Sequence, residues 1–145
     1  MDTVEFKWLQ MRLAEEKDRR EREAMILDRL PLAIDELHTS LESCINSYNA
    51  AFGPHAVEME SHPRRIRIQM RDSHGKGESS RVEIVASPAL PGFQIDRGGS
   101  PLTIEVGMLP GDRLFYRDRE KDQYLTMEEL TRRILDRVLF PKLGE

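Results

Sequence analysis

The chain has one cysteine, Cys44, among its 145 residues, and this scarcity excludes a framework of internal disulfides. Such a composition suits a reducing compartment, so we expect a cytoplasmic protein. No stretch approaches the ~20 apolar residues that a membrane span requires. The first ten residues, MDTVEFKWLQ, also lack the apolar segment of a secretory signal peptide. The sequence therefore predicts no association with a membrane.

Recognisable catalytic and metal-binding motifs are also missing. The four histidines show no ligand spacing, and the G-x-S-x-G nucleophile motif does not occur. Cys44 falls in or next to an apolar seam, which predicts a buried and unreactive thiol. We therefore assign no catalytic residue, no metal site and no cofactor. The sequence does not decide whether the protein is an enzyme, but it favours a non-enzymatic protein.

One short segment, Asp118–Glu129, resembles an EF-hand calcium loop. Acidic residues occupy its first, third, fifth and twelfth positions, where the resemblance implies ligands for Ca²⁺. However, Gln123 replaces the glycine that permits the sharp turn of that family. Thr126 and Glu129 also have the spacing of a helix capping box. The sequence thus favours a polar turn followed by a helix, and we expect no tight calcium binding.

What the chain does contain is one long helical pattern over its first 52 residues. Apolar residues recur every three or four positions at both ends, but Glu16, Arg20 and Glu23 interrupt this seam in the middle. Charged side chains there would be costly in a core. Pro31 predicts a kink or a helix boundary at Leu30–Pro31. We therefore predict a charged helical arm over residues 1–30 and a globular domain over residues 31–145.

After Gly53 the hydrophobic period changes from 3.6 to 2, which indicates half-buried strands. Five segments alternate in this way, and a short run at Phe93–Ile95 is a candidate for a sixth. Residues 127–140 return to helical spacing. The pattern predicts an α+β fold with a long, kinked N-terminal helix, an antiparallel meander sheet of five to six strands and a C-terminal helix. Both helices should cover one face of the sheet, with Ile34, Leu37 and Leu41 in the core.

The charge of the chain is unevenly distributed. Its net charge is -4, yet residues 62–81 carry six basic and two acidic residues, a local charge of +4. This strip includes Arg65, Arg67 and Arg71, which could bind phosphate groups or an acidic partner. It lacks the interleaved aromatic residues that stack on bases, and the acidic pI near 5.6 further disfavours nucleic acid.

Strand pairing offers a structural explanation for the same arginines. A two-residue turn at His62–Pro63 would fold two strands together. Glu60 would then face Arg65, and Glu58 would face Arg67. Each arginine would then face a carboxylate on the neighbouring strand. The sequence therefore favours a structural role for these arginines, as cross-strand ion pairs, over a binding site.

The second candidate interaction site is the apolar start of the arm, formed by Phe6, Trp8, Leu9 and Leu13. Large apolar side chains on an otherwise polar helix often anchor an interface. The alternative is that they fold back onto the sheet of their own chain.

These observations favour a non-enzymatic protein-interaction or oligomerisation module. Its partner would be another protein or a second copy of the chain, as a homodimer. Two alternatives stay open. One is a small-ligand-binding or enzymatic domain with a pocket between the helices and the sheet. The other, which the sequence favours less, is nucleic-acid binding through the strip at residues 62–81.

Overall fold

The computed structural model describes residues 6–70, 81–87, 91–111 and 113–143. Two helices flank a run of seven strands, in the order α1 Lys7–Phe52, β1 Val57–His62, β2 Arg65–Met70, β3 Arg81–Ser87, β4 Gly92–Arg97, β5 Pro101–Leu109, β6 Arg113–Asp118, β7 Gln123–Leu125 and α2 Met127–Leu139.

Helix α1 continues through Pro31, so the predicted long N-terminal helix is confirmed, and of the two alternatives at Leu30–Pro31 the helix boundary is excluded. A proline inside a helix removes one backbone hydrogen bond. The turn after it buries Ala33, Ile34 and Leu37, and we attribute the continuity of α1 to this packing. The helix ends at Gly53, whose N–H donates to the carbonyl of Asn49 at 2.8 Å and whose positive φ of 132° suits glycine.

The sheet is a seven-stranded meander in which every strand pairs antiparallel with the next one along the chain. The predicted α+β architecture is confirmed, and the run at Phe93–Ile95 is a true strand, β4. The additional strand is β7, which lies within the segment that resembles a calcium loop. Its three residues are too few to show an alternating pattern in the sequence.

The pairing of β1 with β2 differs from the prediction by two residues. Glu60 lies opposite Arg67 instead of Arg65, and the turn residues are Pro63 and Arg64. Proline is favoured at the second position of a type I turn but disfavoured at the third, where the predicted turn had placed it. A shift of two residues keeps each side chain on its predicted face of the sheet.

A single core joins the helices to one face of the sheet. Its members come from alternate positions of the strands and from the apolar stripes of both helices. Helix α1 contacts β1, β5 and α2, while α2 contacts β3, β4 and β7. Ile34, Leu37 and Leu41 are buried, as predicted. The opposite face of the sheet carries charged residues, among them Arg65, Arg67 and Glu83.

Candidate interaction surfaces

The start of α1 projects beyond the core, whereas Ile26 packs against the core and Arg19, Arg22 and Glu23 line a groove beside β5. No described side chain before Leu30 is buried. The predicted interaction residues Phe6, Trp8, Leu9 and Leu13 are 52%, 64%, 37% and 54% exposed, and Met11 joins them at 65%. We call residues 6–13 the tip. Because these side chains are exposed, the tip does not fold back onto the sheet of its own chain.

Charged residues between the tip and the core are paired along the helix. Arg20 contacts Glu16 at 2.8 Å, and Arg22 contacts Asp18 at 2.8 Å. Arg19 contacts both Glu16 and Glu23, and together Arg19 and Arg20 lower the pKa of Glu16 to about 2. Pairs three or four residues apart stabilise an exposed helix. They explain how this part of α1 stays helical although none of its described side chains before Leu30 is buried.

The predicted basic strip is only partly described. Arg71 lies outside the described residues. Arg65 and Arg67 lie on the charged face of the sheet and share one acidic neighbour, Glu83 on β3, at 3.4 and 3.9 Å. The predicted partners of these arginines were Glu58 and Glu60 on β1, whereas the ion pairs are formed with β3. The positive charge of this patch is therefore partly balanced by a third strand.

The structure reveals a surface that sequence reasoning missed, a groove between the C-terminal half of α1 and helix α2. It is open to solvent, with a volume of about 760 Å³, and its walls include Cys44, Ser47, Tyr48, Phe52, Leu135 and Phe140. We call this surface the interhelix groove. Tyr48 packs on Phe52 and Phe140, with ring centroids 4.8 and 5.7 Å apart. Phe52 remains 66% exposed.

Cys44 is exposed in this groove, so the prediction of a buried thiol is wrong. The neighbouring residue Ile45 takes the buried position. A seam with alternating spacings of three and four residues averages 3.5 residues per turn, whereas an α-helix has 3.6. Over several turns the inferred seam moves away from the true buried face. The aromatic residues at the end of α1 were the one sequence signal for the groove.

In the segment that resembles a calcium loop, the acidic side chains of Asp118 and Glu129 bind groups of the protein itself. Asp118 is 2% exposed, and its carboxylate accepts hydrogen bonds from Arg133 at 2.7 Å and from the backbone N–H groups of Glu120 and Lys121. Thr126 and Glu129 form the predicted capping box at the start of α2. Among the described residues, no three His, Cys, Asp or Glu side chains are placed to hold a metal ion.

A second groove, of about 340 Å³, lies between the first half of α1 and strand β5, with Ile26, Met108 and Phe115 among its walls.

The pKa of Tyr116 is raised by burial and, to a smaller extent, by Glu36, whose carboxylate accepts a hydrogen bond from the Tyr116 hydroxyl at 3.2 Å. Tyr116 lines neither groove. Neither groove therefore combines an enclosed space with this perturbed group.

No match to this chain is found among protein-family models, curated proteins or solved structures. Within the described part of the chain, no helix combines the length and apolarity needed to cross a bilayer. The function must therefore be argued from the surfaces themselves.

Proposed function

We propose that this protein is a non-enzymatic interaction module that self-associates through its N-terminal helical arm, residues 1–30, while residues 31–145 form the globular domain. The observation that supports this most directly is the tip, where five large apolar side chains are exposed within residues 6–13. Clusters of this kind on a soluble protein typically mark protein–protein contacts. The single cysteine is consistent with a cytoplasmic location.

The exposed area of the chain supports the same proposal. It is 10314 Å², whereas a compact monomer of 16.8 kDa would expose about 7,700 Å². The difference of roughly 2,600 Å² indicates that the chain is less compact than a typical monomer of its mass. The arm contributes to this excess, because none of its described side chains before Leu30 is buried. A second copy of the chain could cover part of this exposed helix surface.

The two alternative functions have less support. A ligand-binding or enzymatic domain would need a pocket with convergent polar groups, but the buried groups Tyr116 and Asp118 line neither groove. Nucleic-acid binding would need unbalanced positive charge, but Arg65 and Arg67 share the carboxylate of Glu83. Binding experiments with small ligands and with nucleic acid can test both alternatives.

Sedimentation velocity on the full chain over a wide concentration range tests the proposal. We expect a reversible monomer–dimer equilibrium. Trp8→Glu should weaken association by about ten-fold or more, because it places a charge in an apolar contact. Gln10→Glu is the matched control, since it adds the same charge at a polar residue of the same helical turn. A monomer at every concentration, or equal effects of both variants, would contradict the proposal.

A further inference from the structure

The tip and the interhelix groove lie at opposite ends of one helix. From Leu9 to Cys44 there are 35 residues, which at 1.5 Å per residue separates them by roughly 50 Å. Because α1 is continuous, the tip cannot reach the groove of its own chain. Any contact between these two apolar surfaces must join different molecules.

A line of exposed apolar side chains connects the two surfaces along one side of α1. Met11, Met25 and Leu32 are separated by multiples of seven residues, so they lie on the same side of the helix. They are 65%, 46% and 57% exposed. Successive residues of a helix are rotated by 100° about its axis, so Ser43 and Ser47 lie on the same side as Met11. Both serines line the groove. Met11 of the tip, the middle of the helix and the groove thus share one exposed side, whereas Leu9 and Leu13 lie roughly 160° away from Met11 around the helix axis.

This side is complementary to itself when two helices run in opposite directions. The midpoint of Lys7–Phe52 lies between Arg29 and Leu30. Met25 lies 4.5 residues before that midpoint and Leu32 lies 2.5 residues after it, so the two side chains would be offset by only about 3 Å along the helix across a two-fold axis. Arg22 and Glu36 also lie at nearly equal distances on either side, so Arg22 of one copy would face Glu36 of the other twice.

The groove and the tip also differ in charge. Residues 6–13 contain Lys7 and Arg12 and no acidic residue, a charge of +2, and Arg12 also pairs with Glu15, just beyond the tip, at 3.2 Å. The charged residues of the groove wall are Glu128, Arg132 and Asp136, with a net charge of −1. Apolar contact in the centre with opposite charges at the rim is the usual composition of a specific interface.

We infer that two copies of this chain associate with their α1 helices antiparallel, so that the tip of each copy occupies the interhelix groove of the other. This inference rests on the proposed self-association and specifies its geometry. The arrangement is isologous: both contacts are the same and the dimer is closed, with no free tip or groove left to recruit a third copy. At each end of the dimer three helices then pack together: α1 and α2 of one copy and the arm of the other.

A charge placed in the groove tests this geometry. Ser47 lines the groove, whereas the adjacent Asn46 is exposed and does not. Ser47→Arg should weaken dimerisation by about ten-fold or more, because it fills the groove and repels Lys7 and Arg12. Asn46→Arg is the matched control and should leave the dimer within about two-fold of the original. Thermal unfolding of both variants reports whether the fold is intact.

The outcomes separate this inference from the proposed function. Loss of the dimer in Trp8→Glu but not in Ser47→Arg would leave the self-association standing and overturn the groove as its docking site. A chain that is monomeric throughout would overturn both. Loss in Ser47→Arg with normal unfolding, and not in Asn46→Arg, is the result expected.

Disulfide cross-linking provides a direct measure of proximity, since Cys44 is the sole cysteine and is exposed. Met11→Cys with Cys44→Ser, carrying a size tag, is mixed with the untagged original chain and oxidised. We expect a disulfide between the thiol introduced into the tip of the tagged chain and the native Cys44 of the untagged chain. Gln94→Cys with Cys44→Ser, on the charged face of the sheet, is the control and should not cross-link to Cys44. Cross-links only between two tagged chains would instead show that the tips pack on each other, which overturns the inference.

Discussion

Truncating Leu37 to alanine tests how the second half of α1 is held against the sheet. Leu37 is 0% exposed in the shared core. The change removes three buried carbon atoms, whose transfer from water is worth ~2.4 kcal/mol at ~0.8 kcal/mol per methylene. The cavity left behind adds ~1–2 kcal/mol if it stays open. We therefore expect a loss of ~3–4 kcal/mol, a large share of the ~5–15 kcal/mol that stabilises a typical domain.

Urea unfolding followed by far-ultraviolet circular dichroism measures this loss. The matched control is Leu32→Ala, the same substitution on the same helix at a position that is 57% exposed. It should change the free energy of unfolding by less than ~0.5 kcal/mol. Both variants are made in the Trp8→Glu background, so that dimerisation, in which Leu32 would take part, does not enter the comparison.

The reasoning would be refuted by a loss below ~0.5 kcal/mol for Leu37→Ala, or by an equal loss for Leu32→Ala. Either result would mean that α1 turns a different side toward the sheet. The slope of the unfolding free energy against urea should be the same in both variants, because the surface exposed on unfolding is unchanged.

The arm, the sheet and the start of α2 each allow a further test. Deletion of residues 1–29 should preserve a cooperative thermal transition, because none of the described side chains in that segment is buried; loss of the transition would show that the arm belongs to the core. Arg65→Glu with Arg67→Glu should destabilise the fold by ~0.2–1 kcal/mol for each lost pair, and adding Glu83→Arg should recover part of the loss in the same unfolding assay. Calorimetric titration with Ca²⁺ should show no micromolar site; a binding heat that disappears in Glu129→Gln would contradict this. The pKa of Glu129 is lowered mainly because its carboxylate accepts the backbone N–H of Thr126. This contact therefore stabilises the fold above the ordinary pKa of ~4.3 and is lost as the pH falls through the lowered value. The stability advantage of the original chain over Glu129→Gln should then shrink on acidification, and a difference that is independent of pH would argue against it.

The strands could be predicted because their alternation is a direct consequence of a sheet with one buried face. Ile66, Ile68, Val82 and Ile84 are apolar at every second position, and all four are buried in the core. Strand β7 could not be predicted, because three residues carry no period and its pairing with β6 depends on the neighbouring strand. The exact register of β1 and β2 was also missed, since both registers place the same side chains on the same face.

The tip was recognisable in the sequence, but its exposure was not. Phe6, Trp8, Leu9 and Leu13 form the same apolar cluster whether they cover a sheet or project from it, and only the course of α1 through Pro31 distinguishes the two. The interhelix groove had no continuous sequence signal. Its walls come from segments about 90 residues apart, held together where the hydroxyls of Ser40 and Thr131 meet at 2.7 Å.

By itself the sequence determined the local structure of this protein: a charged helix that needs no core, alternating strands, and the capping box that begins α2. These follow from hydrophobic period and from interactions between residues three or four apart, which depend on near neighbours in the chain. Only the tertiary structure decided which surfaces are left uncovered. Cys44 and Ile45 are neighbours in sequence, yet one is exposed in a groove and the other is buried. That difference depends on where α2 packs, which is a property of the whole chain.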